Sequence, residues 1–268
     1  MNIKIIDCEF QHVSTFNNGK LNINPIHFNW YRGNEYTDIT IFTDRCLHYV
    51  FDINSNIKIA WIIESIFPAY IDWIKNNYNS FDYILTNNRE LLTISNKFIW
   101  IPFGGCWIDE QYRKIYEKCK NISIIASNKN VFSGHILRHK VIETFKNQLD
   151  FICGNGYLAI TDKLEGLKDF RYSVIIENIK KDGYFTEKLI DCCITGTIPI
   201  YWGCDDIETY GFNVIKFENI EELNNILKYC DKKYYINNIN IIENNFEIAK
   251  KYVMTEDWIW NNLLKRLV

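Results

Sequence analysis

The sequence lacks an excess of basic residues and a long apolar run. Its 268 residues carry 30 Lys and Arg against 33 Asp and Glu, which gives a net charge of -3 at pH 7. Because proteins that coat nucleic acids need a strongly basic face, this balance argues against a structural nucleic-acid-binding protein. No stretch approaches the roughly 20 apolar residues of a membrane span, so we expect no membrane-spanning segment. A few local cations still suffice to hold one small phosphate ligand.

The nine cysteines lack the spacing of a metal-binding or redox motif. Their number is odd, they are scattered apart from the adjacent Cys192 and Cys193, and no two are separated by two residues. We therefore expect reduced, mostly buried thiols, as in cytosolic proteins. Met1 leads directly into a strand-like run, residues 2–7, rather than an apolar signal region. The sequence thus predicts a cytoplasmic protein.

Short apolar runs alternate with amphipathic runs along the first half of the chain. Short runs rich in Ile, Val and Phe are typical of strands that are buried on both faces of a parallel sheet. The predicted strands are residues 3–6, 39–42, 57–63, 83–85 and 98–101, and the predicted helices are residues 68–76 and 89–95.

A second alternating series begins near residue 122. Its predicted strands are residues 122–126, 151–153, 172–176, 198–202 and 214–217, and its predicted helices are residues 135–147, 186–195 and 220–229. Residues 107–120 link the two series, and we predict a helix there. Two such series predict an α/β protein with two Rossmann-like domains, in which ligands bind at the carboxyl ends of the strands.

The segment of residues 170–203 combines a buried strand, a polar loop, a helix and a second strand. The first strand ends near Glu177, Gly183 lies in the loop, and Thr186 is suited to cap the helix. A helix that begins at the carboxyl edge of a sheet favours an anion there, and Lys188 adds a positive charge. For an isolated Thr-Glu-Lys tripeptide, helix capping alone would explain the pattern.

The wider segment resembles the donor-binding motif of the family 10 fucosyltransferases, the α-1,3/4-fucosyltransferases. Their pattern is a buried strand ending in Glu-Asn, a loop, Tyr-Val-Thr-Glu-Lys, a helix, and a Pro-containing strand followed by Gly. The matching residues here are, in order, Glu177, Asn178, Tyr184, Thr186, Glu187, Lys188, Pro199 and Gly203, with Phe185 in place of the usual Val. Upstream, residues 124–145 resemble the family's Ser-Asn segment and Arg-bearing helix, with Ser127, Asn128 and Arg138 in the matching positions. The similarity is weaker in the first half of the chain.

This resemblance implies a fold of the GT-B type, in which two Rossmann-like domains face a central cleft. We expect an acceptor-side domain over residues 1–118 and a donor-binding domain over residues 119–246. Residues 247–268 are expected to form a C-terminal helix that packs back on the first domain.

The resemblance also implies an inverting glycosyltransferase that transfers fucose from GDP-fucose to a hydroxyl of an acceptor sugar. By position, Arg138 and Lys188 would grip the diphosphate. Asn178 and Tyr184 would contact the nucleotide, and Glu187 would lie near the sugar. Ser127, Asn128 and Thr186 complete the expected donor-binding set. Because the two cations neutralise the leaving diphosphate, neither a metal ion nor another cofactor is expected.

Inversion also requires a base on the acceptor side, which the family draws from its N-terminal domain. Glu64 is the candidate, because it follows the strand-like run of residues 57–63 at the edge where a ligand would bind. The alternative is that Glu64 is a surface or helix-capping carboxylate. Asp44 and Glu9 are weaker candidates.

Two other functions remain open. The first is the same machinery with another GDP-sugar, since the motif mainly contacts the diphosphate and the nucleotide. A non-catalytic module that binds a sugar nucleotide or a glycan is the other alternative. The intact Arg138, Glu187 and Lys188 argue against it.

His135 and His139 have the i, i+4 spacing with which two histidines bind zinc on one helix face. The residues between them are Ile, Leu and Arg, so the glutamate of the metalloprotease motif is absent, and no third ligand is evident. We therefore interpret both as basic residues on a helix surface.

Three further patterns have ordinary structural explanations. Residues 103–106, Phe-Gly-Gly-Cys, lack phosphate-loop spacing and are interpreted as the turn between domains. Asp205 and Asp206 are adjacent rather than separated as in an Asp-x-Asp metal motif, and Asp206 is expected in a turn or at a helix start. Trp258 and Trp260 are expected to be core anchors rather than sugar platforms.

Overall fold

The computed structural model describes residues 1–7, 27–64 and 66–268, and these form two units. The first unit comprises Met1–Gly105 together with Met254–Val268, and the second comprises Cys106–Val253. The first boundary falls within the Phe-Gly-Gly-Cys turn of residues 103–106. The boundaries expected from the sequence were 118/119 and 246/247.

The first unit contains a six-stranded parallel sheet with strand order β2-β1-β3-β4-β5-β6. Its strands are β1 (Asn2–Ile6), β2 (Asn29–Tyr31), β3 (Ile39–Thr43), β4 (Ile57–Ile62), β5 (Tyr83–Thr86) and β6 (Phe98–Trp100). Its helices are α1 (Pro68–Asn77), α2 (Arg89–Leu92) and, after the second unit, α8 (Thr255–Asn262). Five of the strands were predicted, and the short β2 was not.

Strand β4 is apolar at successive positions because side chains on both of its faces are buried. Ile59 and Trp61 belong to one buried cluster, whereas Ala60 and Ile62 belong to another. Because successive side chains of a strand point to opposite faces, both faces of this sheet are covered.

Residues of the C-terminal segment cover one of these faces. Ile259, Leu263 and Leu264 are fully buried in the same cluster as Ile59 and Trp61. Trp258 and Trp260 are partly buried against that cluster, and Trp258 packs edge-on against Trp100 with ring centroids 5.8 Å apart. The prediction that the two tryptophans are core anchors is confirmed.

The second unit contains a five-stranded parallel sheet with strand order β11-β10-β9-β7-β8. Its strands are β7 (Lys120–Ile125), β8 (Phe151–Cys153), β9 (Phe170–Ile176), β10 (Ile198–Trp202) and β11 (Ile215–Lys216). Its helices are α3 (Ser133–Phe145), α4 (Glu187–Cys193), α5 (Ile220–Tyr229), α6 (Lys232–Asn237) and α7 (Ile239–Ala249). The predicted order of elements in this half is confirmed.

The helix predicted over residues 107–120 is wrong. The segment contains a three-residue 3-10 helix, Glu110–Tyr112, and then enters β7. Its backbone donors are used elsewhere, since the N–H of Trp107 donates to the Asp191 carboxylate and that of Tyr116 donates to the carbonyl of Thr195. These contacts replace the i→i−4 bonds that a helix needs.

The cysteines differ in part from the expectation of nine reduced thiols. Seven of the described cysteines are free, and six of these are buried. Cys46, which is also buried, is disulfide-bonded, so the prediction is wrong for this residue. In the part of the chain that the structure describes, no helix has the length and apolar character needed to cross a membrane.

Lys118 joins three loops of the second unit. Its side chain is buried, and Nζ donates to the carbonyls of Leu167, Lys168 and Thr195 at 3.2, 3.2 and 2.8 Å and to the Thr197 hydroxyl at 2.9 Å. Burial lowers the pKa of Lys118 to about 7, and the carbonyl and hydroxyl oxygens replace the water that its amino group would otherwise bind.

We expect Lys118→Met to lower the free energy of unfolding by about 3 kcal/mol, because it leaves buried acceptors without a donor. Urea denaturation would measure the change. The matched control is Lys120→Met, since Lys120 is half exposed and lies 3.8 Å from Asp169 in a surface ion pair of small energy. Equal stability of the two variants would show that Lys118 does not hold these loops.

Candidate functional site

Glu177 lies immediately after β9, with its side chain fully buried. The carboxylate accepts hydrogen bonds from the backbone N–H of Thr186 at 2.9 Å and from the Thr186 hydroxyl at 2.7 Å. These bonds close the loop of residues 178–185 and fix the residue that precedes α4. Glu177 therefore sets where the side chains of the first turn of α4 lie.

Two glycines allow other elements to approach Glu177 closely. A Cβ on Gly134, in the first turn of α3, would lie 1.8 Å from the carbonyl oxygen of Glu177. A Cβ on Gly203, after β10, would lie 2.6 Å from Cγ of the same glutamate. Neither contact is possible for a larger residue without displacement, so the small size of these glycines permits α3 and the β10 turn to pack here.

Arg138 of α3 and Asn178 meet at the end of β9. The guanidinium is buried, and its Nε donates to the carbonyl of Ile176 at 2.9 Å. Nη2 donates to the same carbonyl and, at 3.0 Å, to the side-chain oxygen of Asn178. No described residue accepts a hydrogen bond from Nη1. Arg138 and Asn178, both predicted to bind the sugar nucleotide, are thus in contact. Nη1 of the guanidinium keeps its N–H groups for a ligand.

His135 is not the surface residue that its helix position suggested. It is buried, and its Nδ1 accepts from two backbone N–H groups just before α3, each at 3.2 Å. Burial and the positive charges of Arg138, Lys129 and Lys188 lower its pKa to about 4. The imidazole is therefore neutral at pH 7 and lies in a positive environment, to which Lys129 contributes a cation that the sequence did not single out.

His139 also has a structural role. Its Nδ1 lies 2.6 Å from the Tyr157 hydroxyl, and its Nε2 lies 2.9 Å from the carbonyl of Lys129. Among the described residues, no group of three or more His, Cys, Asp and Glu side chains could hold a metal ion.

Thr186 caps α4 as predicted, and Lys188 folds back over the cap. The Thr186 hydroxyl accepts from the backbone N–H of Lys188 at 3.4 Å and from its Nζ at 3.1 Å. Nζ also lies 3.6 Å from the Glu177 carboxylate and 3.5 Å from that of Glu187. Lys188 is the more accessible partner, with its side chain 24% exposed.

Glu187 has a second cationic partner, Lys163, which the sequence did not identify. Nζ of Lys163 lies 3.1 Å from Glu187 and 3.0 Å from Asp191. Although burial raises the pKa of Glu187, the charges of Lys163 and Lys188 hold it at about 2. Glu187 and Asp191 are four residues apart on one helix face, so their spacing was a signal that a cation is needed. No local pattern pointed to Lys163.

Ser127 and Asn128, which were also predicted to bind the donor, lie at the same edge of the sheet. Ser127 and Asn128 follow β7, which pairs in parallel with β9, so both strands deliver their next residues to one edge. The N–H of Asn128 donates to the carbonyl of Asn155 at 2.8 Å. Tyr184 is fully buried.

Asp206 acts within the same loop system. Its carboxylate accepts from the N–H of Gly183 at 2.8 Å and from the Cys204 thiol at 2.8 Å, and it precedes a 3-10 helix, Ile207–Tyr210. Asp205 pairs with Lys180 at 3.0 Å. The prediction of a turn or helix start at Asp206 is confirmed.

The candidate bases lie in the first unit. Asp44 follows β3 and Glu64 lies just after β4, and these strands are parallel neighbours. One carboxylate oxygen of Asp44 accepts from the N–H groups of Ile63 and Glu64 at 3.0 and 3.2 Å. Asp44 has φ of 40°, a left-handed conformation that is uncommon outside glycine. Glu9 lies outside the described residues.

Known proteins share parts of this sequence. No protein-family model matches the chain. It is 32% identical over 118 residues to an α-(1,3)-fucosyltransferase FucT of Helicobacter pylori, covering 40% of this chain and 24% of that protein. It is 28% identical over 74 residues to a putative fucosyltransferase-like protein of Arabidopsis thaliana, covering 25% and 14%. The match thus spans a quarter or less of either relative's length.

Solved structures share the fold. A crystal structure of an α1,3-fucosyltransferase superposes with a TM-score of 0.55 at 17% identity, covering 84% of this chain and 81% of that chain. An α1,3-fucosyltransferase structure with GDP-fucose gives a TM-score of 0.54 at 18% identity, covering 81% and 72%. The fold is therefore the GT-B type of glycosyltransferases, as predicted. The sequence matches and the structural likenesses thus lead to proteins named as α1,3-fucosyltransferases or as a fucosyltransferase-like protein.

We expect Thr186→Val to lower the free energy of unfolding by about 2 kcal/mol, because it removes one hydrogen bond to the buried Glu177 carboxylate and the cap of α4. Thr186→Ser keeps the hydroxyl and serves as the control. Chemical denaturation of the two variants measures the difference. If valine and serine variants are equally stable, the hydroxyl does not hold Glu177.

Proposed function

We propose that the chain is an inverting glycosyltransferase that transfers fucose from GDP-fucose to a hydroxyl of an acceptor sugar. The observation that carries this proposal is the assembly around Glu177. It gathers Arg138, Asn178, Glu187 and Lys188 at one sheet edge, at the positions where the sequence resembles the fucosyltransferase donor motif.

In this proposal, the diphosphate of the donor binds Arg138 and Lys188. Nη1 of the guanidinium is free of described protein acceptors, and Nζ of Lys188 is partly exposed. Arg138 keeps its orientation because Nε and Nη2 are held by the Ile176 carbonyl. A preorganised cation stabilises charge that develops on the leaving group without reorganising. We therefore also propose that these side chains, rather than a metal ion, neutralise the leaving GDP.

Asn178, Tyr184, Ser127 and Asn128 are proposed to contact the nucleotide side of the donor, and Thr186 to support that site. Support comes from the sequence resemblance and from the common edge of β7 and β9 at which these residues lie. Tyr184 belongs to the loop of residues 178–185 and is buried. The proposed contact therefore requires the donor to reach its ring through this loop.

The proposed reaction is a single displacement at C1 of fucose. The acceptor oxygen forms a bond to C1 as the bond from C1 to the phosphate oxygen breaks, and GDP leaves with the electron pair. The negative charge of Glu187 stabilises the positive charge that develops on the sugar ring. The hydroxyl proton of the acceptor passes to a carboxylate, for which Glu64 is the proposed base.

A cytoplasmic location stays a proposal. The seven cysteines that are free in the described part of the chain support it, whereas the disulfide at Cys46 favours an oxidising compartment.

Lys188→Met is expected to weaken GDP binding about 10–100-fold, because it removes one charge-assisted contact to the diphosphate. Isothermal titration with GDP measures the change, and Lys140→Met, at an exposed position of α3, is the control.

A thermal-shift panel of GDP-fucose, GDP-mannose, UDP-sugars and CMP-sugars tests the donor itself. Stabilisation by GDP-mannose but not GDP-fucose would redirect the proposal to another GDP-sugar, and stabilisation by UDP-sugars alone would contradict it.

Glu64→Gln is expected to reduce turnover by at least about 100-fold while GDP affinity stays unchanged, because the amide cannot accept the acceptor's proton. Release of GDP in the presence of GDP-fucose and acceptor glycans measures turnover. Glu90→Gln is the matched control, since Glu90 is an exposed carboxylate of the same unit that pairs with Lys75. Persistent turnover in Glu64→Gln would show that another group is the base.

A further inference from the structure

The Lys163 cluster consists of two buried carboxylates, Glu187 and Asp191, and the partly buried Lys163 and Trp107. Nζ of Lys163 lies 3.1 Å from Glu187, 3.0 Å from Asp191 and 3.9 Å from the centroid of the Trp107 ring. The side chains of Glu187 and Asp191 are 9% and 1% exposed. The ammonium is thus enclosed by two carboxylates and an aromatic face, an arrangement that fixes it in one position.

The backbone that carries Lys163 is itself held in place. Lys163 begins a 3-10 helix, Lys163–Gly166, whose capping residue Asp162 accepts from the N–H of Leu164 at 2.8 Å. Glu165 accepts from the N–H and hydroxyl of Thr161 and from the N–H of Asp162. The cation is therefore presented from a capped turn rather than from a loose loop.

Asp191 anchors the cluster from the other side. Its second oxygen accepts from the N–H of Trp107 at 2.6 Å, and Trp107 covers Lys163 with its ring. Without Lys163, Glu187 and Asp191 would be two buried like charges on one face of α4, which is strongly unfavourable. Lys163 attracts both carboxylates and keeps Glu187 ionised, whereas burial and the neighbouring charge of Glu187 still raise the pKa of Asp191 above its ordinary value.

Lys188 does not perform this task in the same way. Its Nζ is shared among Thr186, Glu177 and Glu187, at 3.1, 3.6 and 3.5 Å. In the proposed reaction it also binds the diphosphate. Lys163 is therefore the partner that Glu187 keeps throughout the reaction.

We propose that Lys163 is a positioning residue that holds the Glu187 carboxylate oriented and ionised toward the sugar of the donor. This inference rests on the proposed function and adds a residue for which no role was expected. It implies that Lys163 acts on the transition state through Glu187 and contributes little to binding of the nucleotide.

The directions of the pKa values of Lys163 and Glu187 agree with the geometry. Burial lowers the pKa of Lys163, but the charges of Asp191 and Glu187 together raise it above its ordinary value. Because the pKa of Glu187 is held at about 2, its charge is complete above roughly pH 4 and is lost only as the pH falls through 2. Removal of Lys163 leaves burial to raise that pKa.

The test compares Lys163→Met, Lys163→Arg and, as a control, Lys228→Met at an exposed position of α5. We expect Lys163→Met to lower kcat about 10–100-fold, the factor that one charge-assisted hydrogen bond represents, with GDP affinity changed less than about threefold. Its kcat should also gain an acidic limb between about pH 4 and 7 that the wild type lacks. Arginine should restore most of the rate.

Direct titration separates this inference from the proposed function. In protein labelled with ¹³C at the glutamate carboxyl carbon, the Glu187 signal is assigned by its loss in Glu187→Gln. It should not titrate between pH 4 and 7 in the wild type and should titrate there in Lys163→Met. A wild type that neither binds nor turns over GDP-fucose would contradict the proposed function, and this titration would then decide the role of Lys163.

Lys163→Met/Asp191→Asn removes the like-charge pair along with the cation and is the variant to use if Lys163→Met does not fold. A folded Lys163 variant with wild-type kcat, pH profile and Glu187 titration overturns the inference. Equal losses of kcat and GDP affinity would also overturn it, because they would show a general effect on the donor site.

Discussion

The buried carboxylate of Glu177 is the interaction on which the arrangement of the second unit's site depends. It receives both the backbone N–H and the hydroxyl of Thr186, and so ties the end of β9 to the start of α4. Gly134 brings α3 against its backbone, and Gly203 brings the turn after β10 against its side chain. Three elements that are separate in sequence are thereby held at one point.

The positions of the charged residues of the site follow from that constraint. Arg138 lies one turn after Gly134 in α3, and it donates a hydrogen bond to the last carbonyl of β9. Lys188 and Glu187 occupy the first turn of the helix that Thr186 begins. Each cation and carboxylate is held by a neighbour of opposite charge or by a backbone group, which is how buried charges are accommodated in proteins. Contacts within the second unit therefore hold the charged side chains of the site.

The sequence predicts most of this fold because its strands are buried on both faces and hence appear as short apolar runs. It also locates Arg138, Asn178 and Lys188, since they belong to one continuous resemblance. It fails where the determining partner is remote. The backbone of residues 107–120 bonds to Asp191 and Thr195 rather than to itself. Lys163 acts on a helix 24 residues away in the chain, and the burial of His135 depends on capping contacts that helix periodicity does not reveal.

Because the first unit is built from two chain segments, it cannot be completed until the end of the chain has been synthesised. Ile259, Leu263 and Leu264 complete a core whose other members precede residue 102, and the whole second unit is encoded between them. On the ribosome, the continuous second unit emerges entire before that face of the first sheet can be covered. While the second unit is translated, the part of this apolar face that Ile259, Leu263 and Leu264 cover stays exposed, and exposed apolar surface in a folding intermediate favours aggregation.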